Sequence, residues 1–353
     1  MKVRYGWRFA LLVLLAMVPL ACGSGSGEQP TTGIKDATNT SALEAAAKKE
    51  GTVTVYMVDT WIPWVKKGFE TTYPWANFQA FGGSVPNIKS KFLIEAQAGT
   101  RVGEVVFGFP SDIKDYQNAG AVAAVKVAND SQLPAAIQDP NSVYHASIVS
   151  PALMIYNTNL LKASDLPTDL FDLAQPIWKN KLAMDNPLHG SGSALFLAST
   201  RKDWGDDKWN QWLAGLKANN VLLTQDSGSA YAAVLRGDRP LCVGCAYSNY
   251  LLQKPGTPMA ITQLPIAVSP FVMYIAAKAP HPNMAALFVN WMLGASEGQQ
   301  ALSDNGHLPA VPLTTAGALA LPPGVPVVPL DKVKDYLADS APYVAIYGKY
   351  WSL

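Results

Sequence analysis

Three segments of this chain place glycine and serine just ahead of a helical pattern: Gly82-Gly83-Ser84, Gly190-Ser191-Gly192-Ser193 and Ser227-Gly228-Ser229. A helix that opens this way leaves backbone N–H groups without intrahelical acceptors, adds hydroxyls, and aims the positive end of its dipole at whatever lies in front. Glycine also lets a ligand approach the backbone closely. The combination suits a small anion: a phosphonate, phosphate ester, sulfonate or carboxylate. Taken singly, each segment is better explained by ordinary N-capping. Their recurrence in successive strand–helix units, whose loops open into one crevice, points to binding. Gly83, Ser84, Ser191, Gly192, Ser193, Ser227 and Ser229 are therefore candidate ligand contacts. None of the segments ends in Gly-Lys-Ser/Thr, and no Gly-x-Gly-x-x-Gly sits at a strand–helix junction, so neither a Walker loop nor a dinucleotide fingerprint is present.

Asp59, Thr60 and Trp61 follow the β-branched run 52–58 and would project from the end of a strand. A carboxylate, a hydroxyl and an indole there could hold a positive group, Trp61 by its π face. Trp64 is more readily explained by packing.

Cys242 and Cys245 share "PLCVGCAY" (240–247) with Tyr247. Their spacing is that of a metal knuckle or a redox pair. The histidines stand at 145, 189, 281 and 307, none at ligand spacing to the cysteines, so a zinc site lacks its remaining ligands. Residues three apart on an extended strand face opposite sides, so a disulfide between the cysteines needs a turn or bulge. His189 lies beside Ser191 and Ser193, yet neighbours within one loop rarely reach nucleophile–base geometry, and "HGSGSA" is not a complete nucleophile elbow. No catalytic residue, metal or cofactor is expected. "RGD" (236–238) reads as a helix end closed by Gly237.

The elements that would carry these groups alternate. Strand patterns at 52–58, 77–81 and 103–108 interleave with helical patterns at 40–51, 64–74, 82–99 and 111–120. A second series runs from a strand at 150 through "KLAMD" (181–185), helices after 189, 206 and 226, the strand 240–247, the strand "FVMYIAAK" (271–278) and helices over 284–306, with Ser296 and Gln299 at capping-box spacing. The alternation predicts mostly parallel sheets in α/β lobes. A chain of 353 residues with 49% hydrophobic and 15% charged residues exceeds one typical core. Its net charge of +1 offers no field for nucleic acid or a membrane surface.

Lys2, Arg4 and Arg8 precede the uncharged run 9–18, which has the length of a secretory signal rather than a membrane span. "PLAC" (19–22) resembles a bacterial lipobox, which implies a signal peptide over 1–21, lipidation of Cys22, and a flexible Gly/Ser/Thr linker over 22–40.

The segments "ALEAAAKKEGTVTVY", "GGSVPNIKSKFLIEAQAGTRVGEVVFG", "LFDLAQPIWKNKLAMDNPLHGSGSA", "YAAVLRGD" and "KAPHPNMAALFVNWMLGASEGQQALSDNGHLPAVP" are similar, in order and spacing, to extracellular solute-binding proteins of ABC importers, in the branch that includes ferric-iron, thiamine and phosphonate binders. The resemblance implies an α/β, type II periplasmic-binding-protein fold with two hinged lobes and a ligand cleft. Lobe 1 would comprise 41–150 plus 266–310, lobe 2 would comprise 151–265, and the tail 311–353 would pack on lobe 2. It further implies a monomer outside the cytoplasm, held at the bacterial membrane by its lipid, that hands a small solute to an ABC permease and has no nucleic-acid partner. A sensor partner or an enzyme on the same fold is the alternative. Iron-binding members hold ferric ion through adjacent tyrosines after the strand matching "PLCVGCAY". Here Tyr247 fits the first position, Ser248 replaces the second, and Tyr250 is offset. That substitution favours a small anion or a ferric chelate over a bare ferric ion.

Overall fold

The computed structural model describes residues 33–189, 192–313 and 321–352. The leader 1–21, Cys22 and Ser191 lie outside them.

Eight strands form the backbone of one sheet: β1 (Thr52–Met57), β2 (Asn77–Gly82), β3 (Val105–Gly108), β4 (Tyr144–Asn157), β5 (Leu182–Asp185), β6 (Leu222–Thr224), β7 (Leu241–Ala246) and β8 (Ala267–Ala276). Their order is β2-β1-β3-β8-β4-β7-β5-β6, with shorter strands pairing alongside. The triplets β2-β1-β3 and β7-β5-β6 are parallel. Between them β8 and β4 run antiparallel to each other, β8 runs antiparallel to β3, and β4 antiparallel to β7. The parallel sheets expected from βα alternation are thus present, but fused through an antiparallel pair. Local alternation could not reveal that pair, because β4 and β8 are distant in sequence.

Twelve α-helices cover the sheet: α1 (Thr40–Glu50), α2 (Ile62–Thr72), α3 (Val85–Gln97), α4 (Ile113–Asn118), α5 (Gly192–Ala198), α6 (Arg201–Ala218), α7 (Ser227–Arg236), α8 (Tyr247–Leu251), α9 (Pro282–Met292), α10 (Gly298–Asp304), α11 (Lys334–Ala338) and α12 (Ala341–Tyr347), counted among the described residues. None is long and apolar enough to cross a membrane. Asn39, rather than Thr40 or Ser41, caps α1 by accepting from the Ala42 N–H. Gly205 breaks α6 with φ 71°.

One apolar core gathers side chains from 37–148 and 271–311. A second collects residues from 152–267 and 333–351, and a third, adjoining β7, links Leu153, Cys242, Cys245 and Tyr247. Trp209 and Trp212 are wholly buried, and each indole N–H reaches a carbonyl, Leu197 at 2.8 Å and Leu170 at 2.7 Å, so neither is left with an unpaired donor. The strands β4, of 14 residues, and β8, of 10, run from the first core into the second. Their register shifts between Phe271 and Val272, where Ser147 is the extra residue. Gln299 secures this bulge. Its amide donates to the carbonyls of Ser147 (3.0 Å) and Met292 (2.7 Å), and its Oε1 accepts from the Val311 N–H (2.9 Å). The expected capping box with Ser296 does not form, because the buried bulge takes the Gln299 side chain instead.

The tail joins both cores. Val333, Tyr336, Tyr347 and Trp351 belong to the second, and Tyr347 donates to the Ala194 carbonyl at 2.8 Å. Leu330 packs against both cores, and Asp339 pairs with Lys114 of α4.

Candidate functional site

The C-terminal ends of the parallel strands converge. β1 delivers Asp59–Trp61, β2 delivers Gly83 and Ser84, β3 delivers Phe109, β5 leads to His189, β6 to Gln225–Gly228, and β7 to Tyr247. Between them lies a cavity of about 670 Å³ whose wall draws on all the cores. A crevice beyond the carboxyl ends of parallel strands, at the point where strand order reverses, is where this topology holds ligands.

Of the residues expected at a ligand, Asp59, Thr60, Trp61, Gly83, Ser84, Gly192, Ser227 and Tyr247 line the cavity. Ser193 and Ser229 do not. Ser193 is fully buried. Its N–H donates to Asp185 Oδ1 (3.1 Å) and its hydroxyl to the Val243 carbonyl (2.9 Å), so it ties α5 to β5 and β7. Ser229 is exposed one turn into α7, and its N–H donates to Asp226 (2.7 Å).

The three helix starts are not equivalent. Asp226 caps α7, and the Asp185 carboxylate accepts from the first turn of α5. Carboxylates of the protein thus already occupy the anion-seeking ends of those two helices. At α3, Ser84 stands at the cap position with extended backbone but makes no cap hydrogen bond. Its Oγ is buried without a partner. The first helical bond there is Ile88 N–H to the Ser84 carbonyl at 3.0 Å, so the Val85 and Asn87 amides precede it.

Sequence reasoning missed several wall residues. Tyr336, from the tail, is 2% exposed, and its hydroxyl is buried without a partner. Burial, with Asp112 and Asp185 nearby, pushes its pKa far up. His307 meets Trp61 edge to face at 4.9 Å, and burial drives its pKa down to about 4, which leaves it uncharged at neutral pH. Phe271 also meets Trp61 at 5.2 Å. Only contact across the fold brings these side chains to the cavity, so no local pattern marks them. Asp226 stood beside a flagged segment, and its cap position was the available signal.

Cys242 and Cys245 form a disulfide on β7. The register against β4 shifts between them, and Gly244 adopts φ 70°. This is the irregularity that a bridge between residues three apart requires. A Cβ on Gly244 would sit 2.7 Å from the Ser193 Cα, so the position needs glycine twice over. Past the bridge, the Ala246 N–H donates to the Ser227 hydroxyl at 2.7 Å, which joins the end of β7 to the start of α7. Tyr247 follows, stacked on Tyr250 at 6.0 Å. Burial, and secondarily the Tyr250 hydroxyl, raise the Tyr247 pKa, which disfavours the phenolate that a ferric ion would need. Among the described residues no cluster of three or more His, Cys, Asp or Glu side chains could hold a metal. The His189 Nδ1 is engaged with the Gln225 carbonyl at 3.1 Å, and the Ser193 hydroxyl with Val243, so these two do not form a nucleophile–base pair.

The architecture is shared with solved periplasmic binding proteins of type II. Iron-bound HitA from Pseudomonas aeruginosa superposes with a TM-score of 0.71 at 19% identity, over 85% of this chain and 99% of that one. AfuA from Actinobacillus pleuropneumoniae, solved with fructose-6-phosphate, gives 0.70 at 20% identity over 85% and 98%. Among curated proteins, a putative 2-aminoethylphosphonate-binding periplasmic protein of Salmonella typhimurium is 27% identical over 195 residues, 52% of this chain and 56% of that protein. The match thus spans about half the length of the curated relative. The family model of bacterial extracellular solute-binding proteins matches residues 107–334, and the chain belongs to that family.

Proposed function

We propose that this chain is the extracytoplasmic receptor of an ABC importer. It closes its two lobes on a small solute in the cavity and presents the closed form to a permease. The observation that carries this is the cavity of about 670 Å³ walled from every core, at the strand ends flanking the β4–β8 crossing. A ligand touching both walls would stabilise the closed arrangement, because closure is favoured only by contacts that the open form lacks. The likeness to binders of phosphonate, iron and sugar phosphate supports the class. The lobes of this proposal are 41–150 plus 266–310 and 151–265, with the tail 311–353 reaching both. Lipidation at Cys22 would hold the receptor as a monomer near its permease.

Mass spectrometry of small molecules released from purified protein, followed by a thermal-shift titration of each, tests the receptor. A recovered solute that raises Tm in a saturable way is expected. A protein that releases nothing, and that no member of a phosphonate, organophosphate, thiamine, polyamine and ferric-chelate panel stabilises, would overturn it. Palmitate labelling that persists in Cys22→Ala would overturn the anchor.

A further inference from the structure

The cavity wall carries three carboxylates, Asp59, Asp185 and Asp226, and among the described residues no lysine or arginine. Burial keeps the His307 imidazole in this wall uncharged at neutral pH. A purely anionic solute would therefore enter a pocket whose full charges all repel it. Two of the three helix ends that might offset this are already taken up by Asp185 and Asp226. The start of α3, a helix of 13 residues, is the end left open, and the unpartnered Ser84 Oγ stands there. On the same wall the Tyr336 hydroxyl is buried and unpartnered, although burying a hydroxyl without a hydrogen bond is costly. A bound group that satisfies it would recover that cost.

Resting on the receptor proposal, and narrowing its ligand, we propose that the solute is a small organic zwitterion. Its acidic group sits at the open start of α3 against Ser84, and its amine or ammonium faces Asp59 and Asp226. These are the two wall carboxylates that solvent reaches, whereas Asp185 is sealed in at 1% exposure. Trp61, beside Asp59, offers its ring to the same cation. A bare phosphate or citrate finds no countercharge in this wall, and a polyamine leaves the α3 start unused. An aminophosphonate or amino acid of similar length satisfies both ends.

Isothermal titration with matched probes tests the assignment: 2-aminoethylphosphonate, ethylphosphonate, which lacks only the amine, and ethylamine, which lacks only the acid. The zwitterion is expected to bind roughly tenfold or more tighter than either half. Asp59→Asn and Asp226→Asn should narrow the gap between 2-aminoethylphosphonate and ethylphosphonate, and asparagine at 226 keeps the cap of α7 intact. Ser84→Ala should weaken both phosphonates alike. Ethylphosphonate binding as tightly as its aminated partner, or a gap that neither aspartate substitution narrows, overturns the cationic end. Ethylamine matching the zwitterion overturns the acidic end. If none of the three binds while a different solute co-purifies, the zwitterion assignment fails and the receptor stands. If nothing co-purifies either, both fail.

Discussion

The His307 imidazole abuts the Trp61 indole edge to face, 4.9 Å between centroids, in the wall of the cavity. Burial holds its pKa near 4, against 6.5 for a free imidazole. Between those values the unfolded chain takes up a proton that the folded chain refuses. Stability is therefore full above about pH 6.5 and falls as the pH drops toward 4, by about 3 kcal/mol in all. Urea titrations at pH 7 and pH 4.5 should show this loss, and His307→Gln should show a smaller one. An equal slope in the variant would place the acid sensitivity elsewhere.

The Cys242–Cys245 bridge fixes the bulge of β7 that presents Ala246 and Tyr247 to the cavity. A loop this short contributes only about 2 kcal/mol by chain entropy. The paired Cys242→Ser and Cys245→Ser substitutions should thus leave the protein folded while weakening solute binding, as measured by titration calorimetry. Gly244→Ala should be worse. It combines a left-handed φ with a Cβ 2.7 Å from the Ser193 backbone, and a loss above about 2 kcal/mol in urea unfolding is expected.

Gln299 makes three hydrogen bonds at the strand crossing while fully buried. Gln299→Ala removes all three of these bonds and leaves the Ser147 carbonyl with only the Ala310 N–H, at 3.3 Å. A cost of about 2–4 kcal/mol is expected in chemical denaturation, and Gln299→Glu should not fully rescue it, because a carboxylate donates to neither carbonyl and a protonated carboxyl to only one.

Lys114 and Asp339 are half exposed, so their pair adds little to stability, under about 1 kcal/mol. They nevertheless join α4 of the first core to the tail on the second. Lys114→Ala is expected to leave Tm nearly unchanged and to speed solute release by up to about fivefold in stopped-flow measurements. High salt should have the same effect on the unmodified protein. An unaltered release rate would show that the pair stays closed when the lobes part.

Much of this was legible in the sequence where signals are local. The parallel triplets follow from alternating hydrophobic runs, Gly51 and Gly237 close their helices with positive φ, and Asp59, Ser84 and Tyr247 reach the cavity because each follows directly on a strand. Non-local facts were illegible. β4 begins at Tyr144, ahead of its most apolar stretch, because β8 pairs with it there. Tyr336 and His307 reach the wall only through packing of distant segments. Ser193 looked like Ser191 and Ser227, and only the position of Val243 behind it shows that its hydroxyl is already spoken for.

The crossing of β4 and β8 has a mechanical consequence. The lobes are not hung on loose loops but cut from one continuous sheet, and two long strands pass through the boundary paired residue by residue except at Ser147. Such a joint behaves as a leaf spring, soft in the direction of the bulge and stiff against twist or sideways sliding. The proposed opening and closing would follow a single arc about this joint, and each closure would return Asp59, Ser84 and Tyr247 to the same registry.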